Sequence, residues 1–198
     1  MAEQGSREDL GRRYFREVSG LMQRTYETEL PKIKRTIELA ANTILAGGKC
    51  YCRYSLGHMI PDEIGAERAG GPQIFITTGT EAIAAGDFLL TSAAGEDILA
   101  IREMGVTVVG IQNPWILFEG APRDEINAAP DTPSIEDVSE FVINTYTPHT
   151  EGILTIPEID SAFLPTGNPT FMYVYWMVCA GVTEKLVQGG RSPRVIAA

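Results

Sequence analysis

Apolar residues recur at intervals of three and four through the first quarter of the chain, which is the spacing of one helix face. They are Phe15, Val18, Met22, Ile33, Ile37, Ala40 and Ile44. Ser6-Arg-Glu-Asp9 predicts the helix start, with a hydroxyl cap and acids in the first turn. Pro31 interrupts the run, so the pattern predicts two helices, or one helix kinked there, ending at Gly47-Gly48.

Short apolar runs separated by polar segments follow, and they predict strands alternating with helices. The predicted strands are 49–54, 73–78, 87–91, 106–112 and 140–144. Helices are predicted between them at 60–69 and 96–104, with a small helix or turn at 81–85. Alternation of this kind with short turns predicts an α/β fold, in which a parallel sheet lies between helical layers.

Two later segments lack a regular pattern. Prolines punctuate acidic, Ala-rich sequence between 114 and 137, which predicts an excursion or surface flap, and 145–165 also predicts a loop. Asn168-Pro169 fits a helix cap followed by proline in the first turn, opening a last helix that ends near Gln188. That helix is apolar nearly all round over 171–178, so we expect it to pack in a core or across a subunit interface.

The length of the chain predicts one domain, and its net charge excludes some classes of binding partner. The chain has 198 residues, enough for one domain with a substantial core, and a formal net charge of −10. Nucleic acid and anionic membranes both need a positive surface, so neither is expected as a partner. The first residues do not resemble a secretory signal, and the longest apolar run, 171–182, is shorter than the ~20 residues of a transmembrane helix. We therefore expect a cytoplasmic protein.

The cysteines and histidines give no cofactor pattern. Cys50 and Cys52 share a strand face and Cys179 lies in an apolar run, so buried, reduced thiols are expected rather than disulfides. His58 and His149 are the only histidines and show no paired ligand spacing, so no metal site is predicted. No glycine-rich dinucleotide or phosphate-loop motif follows a strand, so no cofactor is predicted either.

One stretch, from Gly47 to Gly71, organises the predicted fold. A double glycine is followed by a short run that contains Tyr and Cys and ends at Ser55-Leu-Gly-His58. A polar segment comes next, and a second double glycine ends the stretch. This order predicts strand, sharp loop and helix. In a parallel sheet such a loop lies at the carboxyl end of its strand, where ligands bind.

Several motifs in this order resemble the sugar isomerase (SIS) domain proteins, and most closely the phosphosugar-binding branch with a leading helix. The motifs are Gly47-Gly48 before a strand, Gly57 in the following loop, Glu67-Arg-Ala-Gly-Gly71, Ser92-x-x-Gly95, Gly105-Val-Thr-Val-Val-Gly-Ile-Gln112, Pro165-Thr-Gly-Asn168 and Glu184-Lys-Leu186. The likeness covers most of the chain between Tyr14 and Gly190.

The resemblance implies a three-layer α/β/α sandwich, of flavodoxin-like architecture, with a five-stranded parallel sheet. It divides the single domain into a helical extension (1–46), an SIS-like α/β unit (47–190) and a tail (191–198). It also implies a homodimer or higher homo-oligomer, for which we predict contact through the N-terminal and C-terminal helices. The implied ligand is a sugar or sugar phosphate, held by the loops after the first and third strands.

The implied site departs from the family pattern in both loops. The family's Ser-x-Ser-Gly-x-Thr loop, which holds phosphate, is matched here by Ser92 and Gly95, but Ala94 and Asp97 replace its other two hydroxyls. A carboxylate at contact distance from phosphate costs several kcal/mol by an order-of-magnitude Coulomb estimate, although acids also stabilise a helix start. In the first loop, His58 stands near the family's serine.

Candidate site residues follow from these loops. Ser55, Gly57, Ser92, Gly95, Thr166 and Asn168 are predicted to bind the ligand. Glu63 and His58 are predicted to be catalytic, because an aldose–ketose isomerase needs a base that moves a proton between neighbouring carbons. Glu67, one turn beyond Glu63, is an alternative acid. Each also has a plainer interpretation, as a loop histidine, a surface carboxylate or a helix cap.

Two functions from different classes remain open. The first is a sugar-binding or phosphosugar-binding protein, with isomerase activity by proton transfer. The alternative is a catalytically inactive SIS-fold protein with a regulatory or assembly role, suggested by the lost loop hydroxyls.

Overall fold

The computed structural model describes residues 9–54, 61–64, 68–77, 82–112, 132–148 and 152–197. Five helices and seven strands lie in these ranges. In chain order they are α1 (Leu10–Leu45), β1 (Cys50–Arg53), α2 (Pro61–Ile64), β2 (Phe75–Ile76), β3 (Phe88–Thr91), α3 (Glu96–Glu103), β4 (Thr107–Gln112), α4 (Ile135–Val138), β5 (Val142–Asn144), β6 (Gly152–Ile156), β7 (Ile159–Pro165) and α5 (Gly167–Gln188).

Five of these strands form one sheet in the order β2-β1-β3-β4-β5. Every neighbouring pair is parallel, with Cys50 opposite Phe88 and Gly110 opposite Val142. The helices between the strands make this an α/β arrangement with a long N-terminal helix. The predicted fold class is therefore confirmed.

The two faces of the sheet bury different layers of helices because strand side chains alternate between faces. On the first face, side chains of α1 and α5 cover Cys50, Cys52, Phe88, Leu90, Val109, Ile111 and Ile143. On the second face, side chains of α3 and α4 pack with Tyr51, Leu89 and Val108. Each layer is apolar, so the hydrophobic effect holds both helix layers to the sheet.

The first helix is continuous, where the sequence left a choice between two helices and one kinked at Pro31. Thr25, Glu29 and Ile33 are buried on either side of Pro31, so packing holds both halves and offsets the proline. The predicted start was wrong in detail. Asp9, not Ser6, is the cap, accepting a hydrogen bond from Gly11 N, and the first turn contains no acid.

Close packing joins α1 and α5. A Cβ atom on Gly181 would lie 2.3 Å from Cδ1 of Ile37, so no larger residue fits there without movement. Further along, Leu45 contacts Gly189 in the same way, and Arg191 donates a hydrogen bond to the Ile44 carbonyl at 2.6 Å. These pairs advance together along both helices, so α1 and α5 run in the same direction.

The segment predicted as a loop before α5 contains an antiparallel hairpin, so that prediction was wrong. Leu154 of β6 pairs with Phe163 of β7 and is fully buried. Prolines in this stretch favoured a loop interpretation, yet alternating apolar residues also fit strands. The hairpin is tied to α1: Arg13 donates to the Thr155 carbonyl at 3.1 Å and the Tyr14 hydroxyl to the Pro165 carbonyl at 3.0 Å.

The last helix begins two residues earlier than predicted. Thr166 is the N-cap, and Thr170 N donates to its carbonyl at 3.3 Å, so Asn168 lies inside the first turn and is not the cap. Pro169 is tolerated there because its missing N–H would have no partner within the helix. The earlier start arises because β7 ends at Pro165 and the chain turns at once into the helix.

Other boundaries also shifted. Of the helix predicted at 60–69, the described residues show only α2, and α4 overlaps the end of the predicted excursion. Ser134 forms a capping box with Asp137 at the start of α4, which accounts for that short helix. Past α5, the tail pairs with the segment before β2, through a bridge between Val195 and Pro72.

The three cysteines are buried and not in disulfides, as predicted. Burial raises the pKa of the Cys50 and Cys179 thiols from 9.0 to about 12, and it raises the pKa of Cys52 as well. The thiols are therefore protonated at neutral pH and serve as core side chains. Across the described ranges, no helix is long and apolar enough to cross a membrane.

Candidate functional site

The carboxyl ends of the parallel strands mark one edge of the sheet. Its four longer strands end there at Arg53, Thr91, Gln112 and Asn144. Thr145 and Thr147 continue from the last of these, and the Thr147 hydroxyl lies 3.0 Å from that of Thr170 in the first turn of α5. The N-terminus of α5 therefore lies at this edge, where ligands bind in open α/β sheets.

A chain of buried threonines joins the strand ends to α5. The Thr145 hydroxyl makes a long hydrogen bond of 3.5 Å to the Gln112 carbonyl and lies 3.3 Å from the Thr147 hydroxyl. Thr147 contacts Thr170, whose hydroxyl lies 2.9 Å from the Thr166 carbonyl. All four threonines are fully buried. These contacts fix the position of α5 relative to β4 and β5.

Five side-chain oxygens of the described residues are buried without a hydrogen-bond partner, on Glu29, Ser139 and three residues at the end of β4 and the start of α5. The last three concern the carboxyl edge of the sheet. They are Oγ1 of Thr166, Oδ1 of Asn168 and Oε1 of Gln112. A buried polar atom left unpaired costs about 1–3 kcal/mol, so such atoms are uncommon away from water or ligand sites. Their grouping at one helix end and one strand end indicates a place that receives a polar molecule.

The N-terminal end of α5 is electropositive. The first backbone N–H groups of a helix have no partner within it, and the helix dipole adds a partial positive charge. α5 has 22 residues, no acidic residue in its first turn, and no cap hydrogen bond from the Thr166 side chain. The N–H groups of Gly167 and Asn168 therefore lie where an acceptor is favoured.

Two strained residues flank the threonine chain. Tyr146 and Leu164 have φ angles of 56° and 63°, a region that side-chain-bearing residues rarely adopt. The Tyr146 hydroxyl donates to Glu29 at 2.8 Å, and Lys32 pairs with the same carboxylate at 2.8 Å. The Arg24 guanidinium stacks over the Tyr146 ring at 4.1 Å. Strain of this kind concentrates at functional sites.

The second helix at this edge, α3, begins differently. Arg53 at the end of β1 pairs with the Asp97 carboxylate at 2.5 Å, and Glu96 is a second acid in the first turn. Both side chains of the pair are partly exposed, at 37% and 54%. Ser92 N donates to the Arg53 carbonyl, and Gly95 caps the helix with φ of 119°. The Asp97 carboxylate is thus paired with Arg53 at the start of α3.

The structure places the predicted site residues in separate groups. Ser92 and Gly95 lie at the start of α3, and Thr166 and Asn168 at the start of α5. Glu63 on α2 is engaged by Arg68, with Nε 3.0 Å from its carboxylate. The remaining predicted residues lie outside the described part of the chain: Ser55, Gly57, His58 and the alternative Glu67. Their roles stay predictions.

Sequence reasoning missed Gln112, Thr145, Thr147 and Thr170, whereas it selected Thr166. Gln112 ends a predicted strand, and Thr145 and Thr147 alternate just after another, so the rule that strand ends carry ligand residues could have selected them. The interpretation of 145–165 as a loop hid that signal. Across the described ranges, no group of three His, Cys, Asp or Glu side chains could hold a metal ion.

Comparison with known proteins found little. No family model and no curated protein matches the chain. Among solved structures, it is similar to a hypothetical protein of Methanococcus jannaschii whose crystal structure was said to infer a 3-hexulose-6-phosphate isomerase function. The two are 11% identical with a TM-score of 0.46, over 91% of this chain and 93% of that one. A likeness of this degree carries no argument about ligand or reaction.

Replacing Thr166 by valine tests whether its hydroxyl is unpaired. We expect Thr166→Val to raise the free energy of unfolding by about 1 kcal/mol, because valine fills the same space without a buried unpaired oxygen. Thr170→Val is the matched control. It removes a hydroxyl that contacts Thr147 and two carbonyls, so we expect a loss of about 1–3 kcal/mol. Urea unfolding followed by circular dichroism measures both, and an equal loss in the two variants would contradict this reading.

Proposed function

We propose that this protein binds a sugar or phosphosugar at the carboxyl edge of its sheet, beside the N-terminus of α5. The observation that carries the proposal is the group of three buried, unpartnered oxygens on Gln112, Thr166 and Asn168. The resemblance of the sequence motifs to the SIS proteins agrees with the proposal.

The chemistry of these groups suits a ligand rich in hydroxyls. An amide oxygen accepts a hydrogen bond and a threonine hydroxyl both donates and accepts, whereas a sugar hydroxyl offers one donor and two lone pairs. Such a ligand can offer a hydrogen-bond donor to each of these oxygens. An apolar ligand would leave each of them unpaired, at a cost of about 1–3 kcal/mol each.

A thermal-shift panel tests the binding proposal. We expect fructose or fructose 6-phosphate at millimolar concentration to raise Tm, because a molecule that binds only the folded state stabilises it in proportion to its occupancy. Glycerol at the same concentration controls for a general solvent effect. If no sugar, phosphosugar or free phosphate raises Tm beyond the glycerol control, the binding proposal is wrong.

Isomerase activity is the finer part of the proposal. In it Glu63 acts as the base and His58 assists, through proton transfer between neighbouring carbons. The Glu63 carboxylate lies beside the Arg68 guanidinium, with Nε 3.0 Å from its oxygen. Because Arg68 is partly exposed, it can move away when a ligand enters.

Deuterium exchange at C2 of an aldose phosphate, the carbon from which an aldose–ketose isomerase removes a proton, tests this reaction when followed by NMR. We expect exchange catalysed by the native protein to fall about a hundredfold in Glu63→Gln, the usual scale for loss of a general base. Glu103→Gln changes an exposed acid on α3 and controls for net charge. Exchange that is unchanged in Glu63→Gln and in His58→Ala would remove the catalytic roles.

A second candidate is a catalytically inactive protein with a regulatory or assembly role. It is favoured by the two internal ion pairs, Arg53 with Asp97 and Arg68 with Glu63, which engage charged groups that a reaction would use. Assembly would involve α1 and α5, and Phe15 on α1 is 73% exposed. Light scattering at micromolar concentration measures this directly, and a monomeric mass contradicts it.

A further inference from the structure

We infer that an anionic group of the ligand, a phosphate or a carboxylate, binds at the N-terminus of α5 and not at that of α3. This inference rests on the proposed binding function, and it adds the position at which the anionic group of the ligand binds. Two described helices of eight or more residues begin at the carboxyl edge of the sheet, and either could bind an anion through its N–H groups and dipole. Their surroundings differ in three respects.

The start of α3 already holds anions of its own. Glu96 and Asp97 occupy its first turn, and Asp97 Oδ1 accepts a hydrogen bond from Ile98 N at 3.0 Å. The other oxygen of Asp97 pairs with Arg53, the cation that would otherwise attract a ligand phosphate. A second anion entering here would meet a carboxylate at contact distance, where like charges repel.

The start of α5 lacks such a group. Its first turn contains no acid, and the Thr166 side chain makes no cap hydrogen bond. The Thr166 hydroxyl is unpartnered although the residue has 0% exposure, so its O–H remains available as a donor. The N–H groups of Gly167 and Asn168 stand beside it, because Thr166 is the N-cap.

The amide of Asn168 adds a further donor. Its oxygen and nitrogen exchange places when the amide turns over, so the buried position now held by Oδ1 can present N–H to an anion. Glu29, the acid that contacts Tyr146 beside the threonine chain, is engaged by the Tyr146 hydroxyl and by Lys32. Its charge is balanced, and it does not oppose an anion at α5.

The test uses calorimetric titration of the full chain with fructose 6-phosphate, fructose and inorganic phosphate. In the native protein we expect fructose 6-phosphate to bind more tightly than fructose. Thr166→Val removes the hydroxyl donor, and we expect it to weaken fructose 6-phosphate about tenfold to a hundredfold, the range for a hydrogen bond to a charged group. Thr166→Ser keeps the hydroxyl and should restore most of the affinity. Ser92→Ala removes the hydroxyl next to α3 and tests the competing position, because a loss of fructose 6-phosphate affinity in this variant alone would place the anion at α3.

The possible outcomes separate this inference from the binding proposal. If Ser92→Ala weakens fructose 6-phosphate and Thr166→Val does not, the anion lies at α3 and the inference is wrong. If the native protein binds fructose as tightly as fructose 6-phosphate, the site takes a neutral sugar, so the inference fails while the binding proposal stands. If neither sugar binds, the binding proposal itself fails. Inorganic phosphate that binds equally well to native protein and Thr166→Val indicates an adventitious ion only and overturns the inference.

Discussion

The close packing of α5 against α1 is the constraint on which the rest of this structure depends. At Gly181 a Cβ atom would overlap the Ile37 side chain, so the absence of a side chain at this position lets Ile37 pack directly against α5. Together the two helices cover one whole face of the sheet with apolar side chains. Because α5 runs in the same direction as α1, its C-terminus meets the end of α1 and its N-terminus lies at the carboxyl edge of β4 and β5.

That placement creates the candidate site. The threonine chain from Thr145 to Thr170 holds the start of α5 against the strand ends through hydroxyl contacts, while Thr166 remains without a partner. Thus the hydroxyls of Thr145, Thr147 and Thr170 have hydrogen-bond partners, whereas the Thr166 hydroxyl has none. At α3 the protein supplies its own carboxylate, Asp97, with Arg53 as partner. The two helix starts at this edge are therefore chemically distinct although the sheet presents them alike.

Much of the fold could be predicted from sequence, because β-branched and apolar runs such as Thr107–Gln112 are typical of buried strands in a parallel sheet. The hairpin could not, since Pro157 and Pro165 gave a strong local loop signal and only packing of Leu154 decides otherwise. The site was predicted in part. Thr166 and Asn168 were selected as ligand residues, but their lack of partners depends on where α5 begins, and the Asn168-Pro169 pattern placed that start two residues too late.

The most direct measurement of the central claim is a crystal structure of the protein grown with fructose 6-phosphate. We expect the sugar to lie at the carboxyl edge of the sheet, with its phosphate within about 3 Å of the Thr166 hydroxyl and the Asn168 N–H. The native position of Asp97 beside Arg53 should be unchanged. A phosphate at the start of α3 with Asp97 displaced, or an ordered water that alone satisfies Thr166, would contradict it.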